Sequence, residues 1–252
     1  MDAGYNAVVS SLNGLGISII GSCSADDWDT DPLVSSTVPP EGRPRSLMPG
    51  CMSALVIGIP VQKCIIDTSP SIWYREHYKV LNAYLDMAAE RAVLEFERNG
   101  ISAVAIPRDG YMGIKGLQKS PSSFFSHRHS AYLCGLGTFG MNGMILTEEY
   151  GPRIRLVTVL TEAVLPEGHV RVGHICNRCG KCIRSCPAHA ITDSIYPDGK
   201  FDVGACVDRH VSLASDGTSP CGICIGVCPI GSDARRQGPA GAALKNIRSY
   251  RL

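Results

Sequence analysis

The chain has 252 residues, enough to bury a substantial core without disulfide or metal staples, as one large domain or a main domain with a small one. Twenty-four basic and 23 acidic residues leave a net charge of +1, a balance that does not point to nucleic acid or an anionic membrane surface. The apolar runs fall far short of the roughly 20 residues that span a bilayer, and the start, MDAGYNAVVSSLNG, has no basic n-region or twin-arginine signal. A cytoplasmic, reducing location without a membrane partner is therefore expected, in which the 12 cysteines serve as ligands or buried thiols, not disulfides.

Residues 3 to 15 read as a first helix, with Val8, Val9 and Leu12 on one face, and Ile17 to Ile20 as a short first strand. Ser24 to Pro44 is polar and proline-rich. Its Asp27-x-Asp29-x-Asp31 spacing resembles the start of a calcium loop, but Pro32 and Val38 stand where the turn glycine and closing glutamate belong, so a solvated loop is expected. Ser53 to Pro60 is a buried strand by length and β-branched content. From His77 the apolar residues Val80, Leu81, Tyr84, Leu85, Ala88, Ala92, Leu94 and Phe96 recur every three to four positions until Asn99-Gly100, which predicts a long helix. Ile101 to Pro107 is a further short strand. A strand, a long helix and a strand make a crossover unit, so an α/β (α+β) main domain with a mixed sheet is expected.

Pro107 to Phe125 reads as a loop with Arg108, Asp109, Tyr111, Lys115 and Lys119, long enough to carry function. Ser126 to Cys134 predicts a helix leading into Gly135-Leu136-Gly137-Thr138-Phe139-Gly140. That is formally G-x-G-x-x-G, but a dinucleotide fingerprint must follow a strand, and no acidic residue closes a second strand about 20 residues on. Met144 to Thr147 and Arg153 to Thr161 read as strands around Tyr150-Gly151-Pro152, and Val164 to Gly173 as a linker. The expected division is residues 1–165 as main domain, 166–233 as a cysteine module and 234–252 as a basic tail.

The module carries the most specific pattern. Cys176, Cys179, Cys182 and Cys186 follow the C-x2-C-x2-C-x3-C-P spacing that wraps thiolates around a cubane iron–sulfur cluster, and Cys221, Cys224 and Cys228-Pro229 answer it, with Cys206 as the eighth thiol. In two-cluster ferredoxins the cysteine before proline ligates the other cluster. By that rule Cys176, Cys179, Cys182 and Cys228 hold one [4Fe–4S] cluster, and Cys186, Cys206, Cys221 and Cys224 hold the second. A pair of zinc sites is the alternative, but the third cysteine at x2 and both Cys-Pro endings match ferredoxins better. Cys23, Cys51, Cys64 and Cys134 are expected as small buried apolar residues.

A compact two-cluster module needs only about 60 residues, so the residues before it must house what the electrons are for. From about Arg43 to Gly231 the order of segments resembles the family that joins epoxyqueuosine reductases and reductive dehalogenases. RPRSLMPGCMSALVIGIP, from Arg43, is similar to the family's early proline-rich turn and strand, and EHYKV at Glu76 to an epoxyqueuosine reductase D-Y-H-K-V stretch. CGLGTFGMN at Cys134 resembles their A-G-L-G-W-I-G-K-N, and LTEEYGPRIR at Leu146 the dehalogenase T-P-E-Y-G-P-R-V-R.

This resemblance implies a nitroreductase-like, corrinoid-binding main domain with a ferredoxin-like module, and base-off cobalamin held between them. It places His77, Tyr78, Arg128, His129, Gly135, Gly137, Gly140, Asn142, Tyr150 and Arg153 at the cofactor. It also implies reductive cleavage of a small-molecule substrate, with a ferredoxin or flavodoxin as electron donor. The cobalt-ligating D-x-H-x-x-G motif is not met, since Leu213 follows Asp208-Arg209-His210 where glycine is required; His210 is expected to be a local capping or surface residue. Pro121 occupies the position of the epoxyqueuosine reductase aspartate acid. The proton donor is then Tyr111, with Arg108, Lys115 or Arg128 lowering its pKa, or one of His127 and His129. Two other readings stay open: an electron-transfer or corrinoid-handling protein without substrate chemistry, and an epoxyqueuosine reductase with a relocated acid, the one case in which a nucleic acid, tRNA, would be a partner.

Overall fold

The computed structural model describes residues 3–109, 113–120, 123–199 and 201–231. Strands β1 (Ile19–Ser24), β2 (Ser53–Pro60), β3 (Ala103–Ile106) and β6 (Ile154–Thr161) form a sheet in the order β1-β2-β6-β3, while β4 (Thr138–Phe139) and β5 (Ile145–Leu146) pair as a separate ribbon. Every pairing is antiparallel, which corrects the expected mixed sheet. The two strands of the crossover unit, β2 and β3, run parallel, and β6 lies between them, with Val56 opposite Thr158 and Ala105 opposite Val159.

The sheet is covered on both faces, which is why β2 is apolar at nearly every position. Leu55, Ile57, Val157 and Val159 point to one layer with α1 (Ala3–Gly14) and α6 (Ile72–Arg98). Ala54, Val56 and Leu160 point to the other, which includes α8 (His127–Leu133). Helix α6 begins at Ile72, before the expected His77, because the Ser71 hydroxyl accepts the Tyr74 amide at 3.1 Å. It buries Tyr74, Leu81, Leu85, Ala88, Ala92 and Phe96, and ends before Gly100, whose φ of +73° suits glycine. The first strand lies at Ile19–Ser24, slightly beyond the expected Ile17 to Ile20.

The expected solvated loop at Ser24 to Pro44 is instead a chain of short helices, α2 (Asp27–Thr30), α3 (Pro32–Thr37), a 3-10 turn at Pro40–Gly42 and α4 (Pro44–Leu47). The single Trp28 decides this: it is 0 % exposed and stacks 5.0 Å from Phe125. The acidic residues that suggested a calcium loop have local partners. Asp27 accepts the Ser24 amide, Asp29 pairs with Arg43 at 2.6 Å, and Asp31 caps α3 through the Leu33 and Val34 amides. Nor is Val164 to Gly173 a free linker, since Ser22 holds it through the Pro166 carbonyl and the Gly168 amide.

Further along, α5 (Lys63–Ile66) precedes α6, and α7 (Gly113–Lys119) packs on α10 (Val203–Ser215). The cysteine runs carry α9 (Lys181–Ser185) and α11 (Ile223–Gly226), which lie against each other. Cys23, Cys51 and Cys134 are buried as expected, whereas Cys64 is only half-buried. Among the described residues no helix is long and apolar enough to cross a membrane. The tail from 234 lies outside the described residues.

Candidate cluster and corrinoid site

The two cysteine runs are copies of one nonapeptide, CGKCIRSCP at Cys179 and CGICIGVCP at Cys221. In both, the glycine after the first cysteine is left-handed, Gly180 at φ +67° and Gly222 at φ +69°, and the next residue opens a single helical turn carrying the following cysteine. The repeat is a signal the spacing alone does not use, and its two helical turns, α9 and α11, lie side by side.

No cysteine among the described residues is in a disulfide. Burial raises the Cys182 thiol, with Cys176 and Cys228 nearby adding to the rise, and Cys228 is raised likewise by burial, then by Cys176 and Cys179. Burial pushes Cys206 up to about 11, helped by Cys221 and Cys186, and raises Cys224 further beside Cys206, Cys221 and Cys186. Cys182 and Cys228 thus share the neighbourhood of Cys176, and Cys206 and Cys224 that of Cys186 and Cys221, while Cys182 also acts on Cys224. Crowded thiols that resist ionisation alone suit a bound cation, which stabilises thiolates. Among the described residues no three His, Cys, Asp or Glu side chains close on a single-ion site. The Cys186 sulfur accepts the Ala190 amide at 3.4 Å.

The second run is pinned to the main domain. Asn142 donates to the Cys224 carbonyl at 3.3 Å, and Arg153, 3 % exposed, donates to the carbonyls of Cys228 at 3.4 Å and Gly231 at 2.5 Å. Tyr150-Gly151 abuts Ile230-Gly231 so closely that a Cβ at Gly151 would lie 2.2 Å from the Ile230 oxygen. On the α6 side, Tyr74 fills the space over Gly222, and burial raises its hydroxyl pKa in the neighbourhood of Arg155, Cys224 and Cys221. Asn142, Tyr150 and Arg153, expected at the cofactor, thus belong to the segment that seats the second cysteine run.

Gly135, Gly137 and Gly140 likewise face protein: added Cβ atoms would lie 2.2 Å from the His169 oxygen, 2.2 Å from the Leu146 oxygen and 2.6 Å from Leu146 Cδ1. They permit close chain crossings. His129 is buried, hydrogen-bonded to Ser126 through Nδ1 at 2.6 Å and to Tyr196 through Nε2 at 3.0 Å, and desolvation lowers its pKa to about 3. His127 Nε2 donates to the Pro107 carbonyl at 3.2 Å, so Nδ1 accepts the Thr158 hydroxyl at 2.9 Å, and burial lowers its pKa to about 4. Both rings are neutral near pH 7 and hydrogen-bonded at each nitrogen, so each carries a single N–H that already has a partner. His210, expected at the surface, is half-buried on α10, and desolvation lowers its pKa. Tyr111 and the Lys115 side chain lie outside the described residues.

What remains open is a set of cations. Arg128 is exposed and donates to the Gly143 carbonyl at 2.6 Å. The Arg155 guanidinium lies 4.0 Å above the Tyr78 ring. His77 Nε2, Arg155 Nε and Arg209 Nε are buried without a hydrogen-bond partner among the described residues. Buried donors left unpaired are costly, and Trp28 Nε1 and Arg108 Nε are in the same condition. A separate cavity of ≈250 Å³, lined by Asp27, Asp31, Glu167 and His169, contains no expected site residue.

No family model matches the chain. It is 33 % identical over 107 residues to the tetrachloroethene reductive dehalogenase of Sulfurospirillum multivorans, covering 38 % of this chain and 21 % of that protein. It is 32 % identical over 100 residues to the epoxyqueuosine reductase of Synechococcus sp. (strain RCC307), covering 38 % and 31 %. The fold matches the catabolic reductive dehalogenase NpRdhA, solved with 3-bromo-4-hydroxybenzoic acid, at a TM-score of 0.69 and 21 % identity, over 98 % of this chain and 35 % of that one. The matched region spans about a fifth to a third of the length of these proteins. The chain is therefore a relative of the reductive dehalogenases and epoxyqueuosine reductases, two groups of oxidoreductases.

Proposed function

We propose that this chain is an iron–sulfur reductase that passes single electrons through two [4Fe–4S] clusters to a base-off corrinoid, for reductive cleavage of a small organic substrate. The observation that carries the reading is the repeated cysteine run docked on the main domain, where Asn142 and Arg153 reach the carbonyls of Cys224, Cys228 and Gly231. When bound, the clusters supply one-electron carriers, and the corrinoid a strongly reducing cobalt centre.

The chain's own residues do the rest. Cys176, Cys179, Cys182 and Cys228 hold the first cluster, and Cys186, Cys206, Cys221 and Cys224 the second. Asn142 and Arg153 fix the second run against the domain, and Tyr74 keeps water from the contact between Gly222 and α6. His77, Arg155 and Arg209 offer donors to the corrinoid periphery. Tyr111 donates the proton that completes cleavage, since His127 is committed to Pro107. The ferredoxin-like character of the module and the cytoplasmic setting belong to the same reading.

The test is metal analysis of protein purified without oxygen, incubated with hydroxocobalamin and desalted. About eight irons per chain with one retained cobalt is the expected result. Iron without cobalt would instead favour an electron carrier. Tyr111→Phe protein that turned over at the full rate would remove that residue from the mechanism.

A further inference from the structure

The cysteines of both nonapeptides are half-buried, but the intervening residues of the second are half-buried throughout, whereas those of the first include exposed ones. In the second run, Gly226 sits so close to the main domain that a Cβ would lie 3.2 Å from the Ile66 carbonyl oxygen, and no charged residue occurs from 217 to 231. At the matching positions of the first run stand Lys181 and Arg184, where the second has Ile223 and Gly226, and both basic residues are exposed. Arg178, directly before Cys179, is exposed too. Arg184 donates to the Cys179 carbonyl at 3.1 Å, which lays its guanidinium beside the first cluster's ligand loop.

The charge is one-sided. From Gly168 to Thr192 there is no acidic residue. Arg171 is neutralised by Glu148 at 2.5 Å, but Arg178, Lys181 and Arg184 have no acidic partner among the described residues. On a chain with net charge +1 this is a concentrated, exposed basic rim around the first cysteine run. The other run is turned toward Tyr74 and α6.

We propose that the exposed face of the first cysteine run is the docking surface for a small acidic electron-donor protein, with Arg178, Lys181 and Arg184 as its basic rim. The inference rests on the two-cluster reading and adds where electrons enter: at the cluster of Cys176, Cys179, Cys182 and Cys228, the second cluster then handing them to the main domain. The step is one electron from the donor's reduced centre to the oxidised first cluster, with no proton or bond change. A small, charge-steered contact suits such transient exchange, since it raises the encounter rate and leaves release fast.

The experiment uses the full chain with both clusters, the double variant Arg178→Asn and Lys181→Glu, and a photoreduced acidic plant-type [2Fe–2S] ferredoxin. Asparagine is chosen because Arg178 has a φ of +54°, and Arg184 is kept because it holds the Cys179 carbonyl. The second-order rate of cluster reduction should fall roughly tenfold or more at low salt in the variant, and the wild-type rate should fall steeply toward about 0.3 M salt. Reduction by photoreduced deazariboflavin, which carries no net charge, should be equal in the two proteins.

Equal ferredoxin rates in two proteins with full iron content and unchanged cluster spectra would overturn the docking surface alone. If binding of an RNA stem-loop weakened in the variant while the ferredoxin rate held, the rim would be a nucleic-acid contact and the proposal would fail. A chain that assembles no clusters would overturn the two-cluster reading and this surface with it.

Discussion

The side-chain amide of Asn142 donates to the carbonyl of Cys224 across 3.3 Å, joining the glycine-rich segment to the middle of the second cysteine run. Asn142 is 2 % exposed, so its loss also leaves a buried carbonyl unmet. Asn142→Ala should destabilise the seat of that run by about 1–3 kcal/mol. Iron release to a chelator under anaerobic conditions should be several-fold faster than in wild type, and an unchanged release rate would count against the pin.

Arg153 should be less tolerant of change. Its guanidinium spans the carbonyls of Cys228 and Gly231, a reach that a single ammonium does not reproduce. Arg153→Lys is expected to cost roughly 2–3 kcal/mol, read as a lower denaturant midpoint, and Arg153→Ala to reduce the iron retained after purification.

Gly137→Ala separates a packing glycine from a cofactor glycine. The new methyl would meet the Leu146 carbonyl at 2.2 Å, so β4 and β5 must part, at a cost of about 1–3 kcal/mol. The loss should be the same with and without added cobalamin. A penalty that appeared only in cobalamin binding would return this glycine to the cofactor.

Acid should unfold the layer around α8 early. Desolvation holds His127 at about 4 and His129 at about 3, both below the ordinary histidine value of 6.5. The unfolded chain therefore binds protons first. The stability these neutral rings contribute is fully present above about pH 6.5 and falls by roughly 1.4 kcal/mol per pH unit for each as the pH drops toward their folded values. Denaturant midpoints measured from pH 7 to pH 4.5 should decline, and His129→Gln should decline less steeply.

Much of this fold was legible because burial writes plainly. Ser53 to Pro60 matches β2 residue for residue, since a strand covered on both faces has no polar side to blur it, and α6 ends at Asn99-Gly100 as its period predicts. Sheet order was not legible. Nothing local in Arg153 to Thr161 says that it enters between β2 and β3, a choice made by contacts about 50 to 100 positions apart. Ser24 to Pro44 was misread because its composition is a loop's, while one residue, Trp28, supplies the apolar anchor. At the site, the cysteines could be named from spacing alone. The roles of Asn142 and Arg153 depend on which backbone carbonyls come near them, and no spacing rule carries that.

The seating of Cys228 beside Cys176 and Cys179 sets an order on biosynthesis under the proposed pairing. Three ligands of the first cluster leave the ribosome some 50 residues before the fourth, and the second cluster waits for Cys221 and Cys224. The second cluster cannot close before Cys224 is made, nor the first before Cys228, so completion of both follows translation into the second run. A frameshift or nonsense lesion between the runs would leave a chain able to fold its sheet but able to complete neither cluster.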